Sequence, residues 1–286
     1  MYAYVADVTP AEHRSEAYGV LSAAINGGLL IGPLIGGIVG QDAGFAAAYV
    51  LSAIIEGIAV LLVLAYLREP ARHEERHEQH GSLSWQRLIS LPLLGAYMGF
   101  FGYQIVMGIL SSLWTIWMRD LGASYTYIGV TFTVFALPQI LLGAVAGRAS
   151  DRWGRAPVLL WAGLLISGVY AAYGFVSSLA LVLALGILEG LFLVFQQPAA
   201  RTLLADASPP DLRGRAQGMA GLIGSIGGAG AAFISLPLYH QERALPFLVA
   251  GMMMVAGSLM SAIGAVTLAR RQERERPSSA GEEGGA

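Results

Sequence analysis

The amino-acid sequence predicts an all-α fold, a polytopic bundle of transmembrane helices. Of the 286 residues, 55% are hydrophobic and 13% are charged, about half the charged fraction of an average soluble domain. The mean hydropathy is +0.60. The apolar runs are continuous and do not alternate with polar residues, which favours membrane helices over the strands of a β-barrel.

Eight apolar stretches are long enough to cross a bilayer, which takes about 20 residues of helix. They cover approximately residues 12–40, 44–67, 91–118, 125–147, 156–176, 178–203, 211–239 and 244–269. The segments near 41–43 and 176–178 are too short for anything except hairpin turns at a membrane surface. The sequence therefore predicts about eight spans, most of them joined by short connections.

The residues that precede the first span are repeated later in the chain. Ala6–Arg14 (A-D-V-T-P-A-E-H-R) returns as Ala205–Arg213 (A-D-A-S-P-P-D-L-R), which indicates an internal duplication. Thr9 and Ser208 are placed to cap the helix that follows each of them, with a proline next in the chain. Helix capping alone, without a functional role, is an alternative explanation of both positions.

The arginine residues predict how the spans are oriented. All 17 basic residues are arginine. If both termini are cytoplasmic, 15 of the arginines lie on the inside, and only Arg119 and Arg243 lie outside. Because inside loops of membrane proteins are enriched in basic residues, we expect a multi-pass protein of the plasma (inner) membrane with both termini cytoplasmic.

The first span contains a spaced glycine motif. It reads Gly19-x8-Gly28-x3-Gly32-Pro33-x2-Gly36-Gly37. Glycines four residues apart allow a neighbouring helix to approach closely, and Pro33 removes a helical hydrogen bond and favours a kink. The motif predicts a tightly packed helix interface that shifts between two arrangements.

A second motif follows the fourth span, and together the two resemble a known family. It reads Gly147-x3-Asp151-Arg152-x-Gly154-Arg155. The chain resembles the major facilitator superfamily, in particular its drug:proton antiporter branch. The resemblance implies that the eight spans correspond to helices five to twelve of a twelve-helix fold.

This correspondence implies a domain organisation. Residues 1–67 would form the end of the N-terminal half, with helices resembling five and six, and 68–90 the cytoplasmic central linker. Residues 91–270 would form the six-helix C-terminal half, and 271–286 a disordered cytoplasmic tail. Helices one to three and most of helix four would be missing, so we expect the 286-residue chain alone not to transport.

Glu189 is the first candidate for a functional side chain. A carboxyl group in the middle of a span is costly, which suggests a proton carrier or a contact for a cation. A protonated glutamic acid bonded to a neighbouring helix is the alternative. Glu56 is also in mid-span, but its helix resembles the peripheral sixth, so a structural role is expected.

Other polar and aromatic side chains share the spans that resemble helices seven and ten. Gln104 and Gln196 could contact a ligand there. Tyr103, Trp114 and Phe192 could form an aromatic wall for large apolar or cationic molecules. Hydrogen bonding and packing between helices are the alternative for all five.

The second motif is predicted to lie in a very short cytoplasmic loop. Gly147 belongs to the motif, and Gly154 would permit the tight turn. The family resemblance implies that Asp151 contacts the neighbouring half and helps to close the cytoplasmic side, with Arg152 and Arg155 adding ion pairs. Anchoring of the topology by positive charge alone is the alternative.

One short pattern suggests a different class of protein. His73-Glu74-x-x-His77 has the spacing of a zinc protease motif, which in such enzymes lies on a helix in an apolar core. Here it lies in a charged linker, so no metal site and no catalytic residue are predicted.

The function expected from the resemblance is secondary active efflux of small amphiphilic molecules by alternating access, driven by a proton gradient. No cofactor is expected, and the expected partners are a small-molecule substrate and the lipid bilayer. Nucleic acid and an obligatory protein partner are not expected. The alternatives are an uptake symporter for a sugar or other metabolite, an inactive membrane fragment, and the zinc protease.

Overall fold

The computed structural model describes residues 14–66 and 85–275, which form eight long α-helices joined by short connections. In chain order they are α1 Arg14–Asp42, α2 Gly44–Tyr66, α3 Leu91–Asp120, α4 Tyr125–Trp153, α5 Arg155–Tyr173, α6 Leu179–Ala207, α7 Arg213–Gln241 and α8 Leu245–Glu275. Short 3-10 helices at Trp85–Leu88 and Pro210–Leu212 precede α3 and α7.

Serine residues cap the N-termini of two helices. The Ser90 hydroxyl accepts a hydrogen bond from the Leu93 amide at 3.4 Å at the start of α3, and Pro92 occupies its first turn. The Ser124 hydroxyl accepts from the Tyr127 amide at 3.1 Å at the start of α4. Each serine thereby satisfies an N–H group that has no partner inside its helix.

The predicted spans lie within a few residues of the helices, with two differences at the ends. The last turn of α4 includes Asp151 and Arg152, and α5 begins at Arg155, so the predicted loop is the single residue Gly154. The last helix, α8, extends to Glu275, five residues into the segment that was predicted to be disordered.

The predicted capping role of Ser208 is wrong. Its hydroxyl donates to the Leu204 carbonyl oxygen at 2.5 Å, so Ser208 closes the end of α6. The next helix begins only at Arg213, after the 3-10 turn, and no side chain caps it. The equivalent residue Thr9 lies outside the described residues.

Helices α3 to α8 pack as one six-helix bundle. The central helix is α3, which packs against α8, α7 and α6; α5 packs against α8 and α6, and α4 packs against α6. The first helix, α1, lies against α4, and α2 contacts α1 along an otherwise exposed surface. Helices α1 and α2 therefore lie outside the six-helix bundle, on its α4 side.

Glycine allows several of these helices to touch through their backbones. A Cβ atom built on Gly95 of α3 would lie 2.5 Å from the Met260 carbonyl oxygen of α8 and 2.9 Å from the Cα atom of Gly264. A Cβ atom on Gly228 of α7 would lie 2.9 Å from the Gln104 carbonyl oxygen of α3. These separations are too short for any residue except glycine.

Seven of the described helices, α2 to α8, are long and apolar enough to cross a membrane. Successive helices of α3 to α8 run in opposite directions, so their arginines collect at one end. We call this the arginine-rich end; it includes Arg87, Arg155, Arg213 and Arg270, whereas the opposite end holds Arg119 and Arg243. The predicted all-α transmembrane fold is confirmed.

Candidate functional site

A cavity of about 180 Å³ lies between α3, α4, α5 and α6. Helical spacing places the lining residues of each helix on one face, as for Val182, Gly186 and Glu189 of α6. The remaining lining residues are mostly apolar: Met107, Leu110, Ser111, Trp114, Thr115, Thr131, Phe132, Phe135, Tyr173 and Leu183. The cavity therefore has an aromatic and aliphatic wall with few polar groups.

The predicted candidate Glu189 is the acidic group of this wall. Its side chain is buried, with 4% of the residue exposed. The Tyr173 hydroxyl of α5 donates to Oε2 of Glu189 at 2.7 Å. Within the described residues no cationic side chain lies within ion-pair distance of the carboxyl group. The protein thus holds this carboxyl group at the cavity with a phenol as its hydrogen-bond partner.

Aromatic rings hold this part of the site in place. The ring of Tyr173 makes edge contacts with Trp114 at 5.2 Å and with Trp117 at 5.6 Å between ring centroids. The indole Nε1 of Trp114 donates to the Thr131 hydroxyl of α4 at 3.1 Å. The predicted residue Trp114 therefore links α3, α4 and α5 while it lines the cavity.

The other predicted polar and aromatic candidates lie away from this cavity. Tyr103 and Gln196 line a separate space of about 10 Å³ nearer the arginine-rich end. The Gln196 amide donates to Ser258 of α8 at 3.4 Å, and the side chain of Gln104 packs on Gly224 of α7. Phe192 packs against the apolar core. In this structure these side chains are therefore not brought together with Glu189, and their contact with a ligand stays a prediction.

Tyr173 and Thr131 complete the site but were not predicted. Tyr173 lies on α5, and only the fold brings it to Glu189. Thr131 lies on α4, and only the fold brings it to Trp114. Tyr173 stands at the end of a span, where an aromatic residue is also expected from membrane anchoring alone. The sequence thus contained no specific signal for either residue.

The second motif forms the connection between α4 and α5 at the arginine-rich end. Gly154 has a φ of 84°, a conformation that residues with a side chain adopt rarely, and this allows the helices to join through one residue. Arg155 forms an ion pair with Asp206 near the end of α6. Arg152 is exposed, and the predicted contact of Asp151 lies outside the described side chains, as does the surrounding of Gly147.

A second ion pair lies at the same end. Two nitrogens of the Arg87 guanidinium donate to the two carboxylate oxygens of Asp211, at 2.8 and 3.0 Å. Arg87 lies in the 3-10 helix before α3, and Asp211 lies in the 3-10 helix before α7. The pair therefore connects the segment that follows the linker to the start of α7.

This pair predicts a pH-dependent contribution to stability. The hydrogen bonds from Arg87 lower the pKa of Asp211 below its ordinary value. The stabilisation is therefore present above about pH 4 and is lost as the pH falls through the lowered pKa. We expect the melting temperature of Asp211→Asn to lie slightly below that of the wild type at pH 7, and this difference to narrow as the pH falls from 4 toward 3. A difference that is as large at pH 3 as at pH 7 would contradict this assignment.

One glycine of the motif on α1, Gly37, packs against α4, and the other described glycines of the motif do not. A Cβ atom on Gly37 would lie 2.5 Å from the Tyr125 carbonyl oxygen and 3.2 Å from the Cα atom of Gly129 in α4. Thr133 of α4 also donates to the Leu30 carbonyl oxygen at 2.9 Å. We call this contact the α1–α4 seam.

The other glycines of the motif do not lie in the seam. Within the described residues, nothing lies within 4 Å of a Cβ atom built on Gly28, Gly32 or Gly36. Pro33 lies inside α1, and its carbonyl oxygen would be 2.5 Å from a Cβ atom on Gly129. Gly19 lies in the first turns of α1. The expected close approach is therefore found at Gly37.

Polar contacts connect the helices at the opposite end as well. The Tyr239 hydroxyl of α7 donates to Asp120 at the end of α3 at 2.7 Å. The Arg119 guanidinium lies over the Tyr125 ring, 4.8 Å from its centroid. The Tyr125 amide donates to Oε1 of Gln41 at 3.0 Å and so continues the α1–α4 seam to this end.

Two sequence candidates remain apart from these sites. His73-Glu74-x-x-His77 lies outside the described residues, and no group of three possible metal ligands occurs in the part of the chain that the structure covers. Glu56 lies on the exposed surface of α2.

Comparisons with known proteins identify the family. Residues 1–116 and 93–284 match the family model described as Major Facilitator Superfamily. The chain is 26% identical over 187 residues to Multidrug resistance protein 1 of Bacillus subtilis (strain 168), a match that covers 65% of this chain and 46% of that protein. It is 22% identical over 170 residues to Quinolone resistance protein NorA of Staphylococcus aureus (strain MRSA252), covering 58% and 43%. The chain thus spans about half the length of these two relatives.

A solved structure shares the fold. A bacterial homolog of the human lysosomal transporter Spinster, in an inward-facing and unoccupied conformation, superposes with a TM-score of 0.60 at 17% identity. The match covers 93% of this chain and 72% of the other. Since the family model covers nearly the whole sequence, the chain belongs to the Major Facilitator Superfamily.

Proposed function

We propose that the chain contributes its central cavity to a proton-coupled exporter of small amphiphilic molecules that works by alternating access. The observation that carries the proposal is Glu189, a buried carboxyl group in the aromatic wall of a cavity within the span bundle. Membrane proteins retain a carboxyl group at such a depth chiefly where protons or substrates bind.

The lining of the cavity supports an amphiphilic ligand. Rings of Trp114, Phe132 and Phe135 can contact apolar or cationic groups, while Glu189 can balance one positive charge. The cavity of about 180 Å³ is smaller than the roughly 300–1,000 Å³ of a typical drug site, so a ligand of that size requires further opening. The names of the two relatives refer to multidrug and quinolone resistance, which supports the same class of substrate.

Competition at Glu189 gives a simple basis for coupling. A proton neutralises the carboxyl group, and a cationic ligand in the cavity compensates the same charge. Binding of one therefore weakens binding of the other, and this reciprocity links ligand release to proton entry. Tyr173 holds the carboxyl group toward the cavity through its hydrogen bond of 2.7 Å.

We assign the residues of the glycine motif and of the second motif to the conformational change of transport. The α1–α4 seam includes direct backbone contacts at Gly37 and Gly129. A shift of the two helices would also break the side-chain hydrogen bonds of Thr133 and Gln41 across the seam. We assign Asp151, Arg152 and Arg155 to closure of the arginine-rich end. On the positive-inside rule this end faces the cytoplasm, with both termini, and the membrane is the plasma membrane.

The coupling is tested by binding of ethidium, a fluorescent amphiphilic cation, to the purified chain in weakly buffered detergent solution. A pH indicator records protons during the titration. The titration is repeated over a series of pH values. We expect proton release to rise toward one per ethidium as the pH is lowered and the carboxyl group becomes protonated before ethidium is added, because both occupy the same group. Ethidium binding without proton release at every pH would contradict the proposal. Binding of glucose together with proton uptake would favour an uptake symporter.

The direction of transport needs a separate, vectorial measurement. Membrane vesicles that contain the chain are prepared everted and acidified inside. Where flux is detected, an exporter accumulates ethidium in these vesicles and loses the accumulation when a protonophore is added. Accumulation in right-side-out vesicles instead would favour uptake.

A further inference from the structure

A second, larger cavity lies at the arginine-rich end, separate from the one beside Glu189. Its volume is about 550 Å³, and it is enclosed by the end of α4, the start of α5, and the last turns of α6 and α8. The side chains that matter for its chemistry are Arg155, Leu203, Ala265, Val266, Arg270 and Glu273. Arg155, assigned above to closure of this end, lines the cavity together with residues of α8 that have no part in the proposed transport cycle.

The wall of the cavity changes from apolar to charged along the axis of α8. Ala265, Val266 and Leu268 lie in the last apolar turns of the helix, and Arg270 and Glu273 follow one turn later. On α4, the Trp153 side chain is 60% exposed next to this level. Exposed tryptophan is typical of the boundary between lipid and water. The cavity therefore crosses this boundary, with its apolar part on the membrane side.

The charged rim can bind a phosphate group. Arg155 and Arg270 both line the cavity, and a guanidinium group has five N–H donors in a planar fork that fits phosphate oxygens. The ion pair with Asp206 occupies only part of the Arg155 fork. Glu273 is the one carboxylate among the lining residues.

We propose that this cavity binds an anionic glycerophospholipid, with its phosphate at Arg155 and Arg270. One acyl chain lies along Val266, which is 40% exposed, toward the bilayer. Basic pockets between membrane helices are known to bind such headgroups. The bilayer supplies the ligand at high local concentration. The charged rim of the cavity lies at the level of the lipid headgroup, and its apolar part lies at the level of the acyl chains. The site thereby ties α4, α5 and α8 to the membrane.

The proposal is tested by native mass spectrometry of the purified, delipidated full chain, titrated with phosphatidylglycerol or phosphatidylcholine. We expect phosphatidylglycerol to bind at least about fivefold more tightly, the effect of one arginine contact with an anionic lipid. Arg270→Gln should remove this preference. Arg271→Gln is the matched control, since it deletes the same charge from the adjacent, exposed position outside the cavity, and it should keep the preference.

A second variant tests the space itself without changing the charge. Ala269 lines the cavity and is exposed, so Ala269→Trp can fill the space without disturbing the buried core. It should weaken phosphatidylglycerol binding by a similar factor. Equal affinity of the wild type for both lipids, equal effects of the two arginine variants, or unchanged binding by Ala269→Trp would overturn the proposal. Lipid binding that appears only after deletion of residues 276–286 would identify that segment as the occupant instead.

Discussion

Replacing Glu189 by glutamine is expected to abolish the proton release that accompanies ethidium binding, from about one proton per ligand to none. Glutamine has nearly the same shape and can still accept the hydrogen bond from Tyr173, but it can neither release a proton nor carry a charge. Ethidium affinity should also fall about tenfold, since a contact with a charged group is worth about 1.5 kcal/mol or more. Both quantities come from the same fluorescence and pH-indicator titration.

The chain offers a matched control for this variant. Glu56 also lies in the middle of a span, but on the exposed surface of α2, away from the cavity. Glu56→Gln should therefore release the same number of protons and bind ethidium as the wild type does. Tyr173→Phe removes the hydrogen-bond partner and keeps the carboxyl group, so proton release should remain.

The outcomes separate a functional carboxyl group from a structural one. If Glu189→Gln retains proton release, another group carries the proton, and the assignment is wrong. If Glu189→Gln fails to fold while Tyr173→Phe behaves normally, the melting temperatures will show it, and Glu189→Met, which also lacks an ionisable group, can then be measured in its place. If Glu189→Gln binds ethidium as tightly as the wild type but releases no proton, Glu189 carries the proton and does not contribute to ethidium affinity.

Replacing Gly129 by leucine is expected to separate α1 from α4. The first atom of the new side chain would lie 2.5 Å from the Pro33 carbonyl oxygen and 3.1 Å from the Cα atom of Leu34. Both are backbone atoms, so neither can move aside by rotating a side chain. We expect a loss of about 3 kcal/mol in the free energy of the seam, at the upper end of the usual cost of overpacking.

Cross-linking measures this separation directly, because the chain contains no cysteine. Gln41 and Tyr125 touch across the seam, with 3.0 Å between the glutamine oxygen and the tyrosine amide. The double variant Gln41→Cys, Tyr125→Cys should be cross-linked by a short bifunctional maleimide. Adding Gly129→Leu should prevent most of the cross-link.

Gly143 provides the control on the same helix. Within the described residues nothing lies within 4 Å of a Cβ atom at this position, so Gly143→Leu should leave the cross-link intact. Both leucine substitutions raise the helix propensity of α4 equally. A similar cross-linking yield in the two variants would show that the seam does not depend on backbone contact at Gly129.

The sequence predicted the helices well because membrane spans are determined mainly by local composition. Runs of about 20 apolar residues and the arginines between them needed no knowledge of distant contacts. The glycine motif also predicted a close helix contact, which the structure places at Gly37. Its partner Gly129 has no motif around it and could be recognised only from the fold.

The site was predicted in part, for a physical reason. Glu189 stood out because a carboxyl group in an apolar span is costly. Gln104 and Gln196 are neutral amides, and in the structure they contact residues of α7 and α8. The bonds of Glu189 with Tyr173 and of Arg155 with Asp206 each join different helices. The error at Ser208 arose because its hydroxyl can bond to the helix before it as readily as to the helix after it.

The backbone contacts at glycine also limit how this protein can change over generations. At Gly95, Gly129 and Gly228 every larger residue would collide with the main chain of a neighbouring helix. Selection should therefore remove most substitutions at these three positions. The walls of the cavity beside Glu189 have no such restriction, since Met107, Leu110 and Leu183 can be exchanged for other apolar residues of similar volume. For the proposed exporter, adaptation of the cavity to a different ligand should therefore accumulate changes at these three positions and leave the helix contacts untouched.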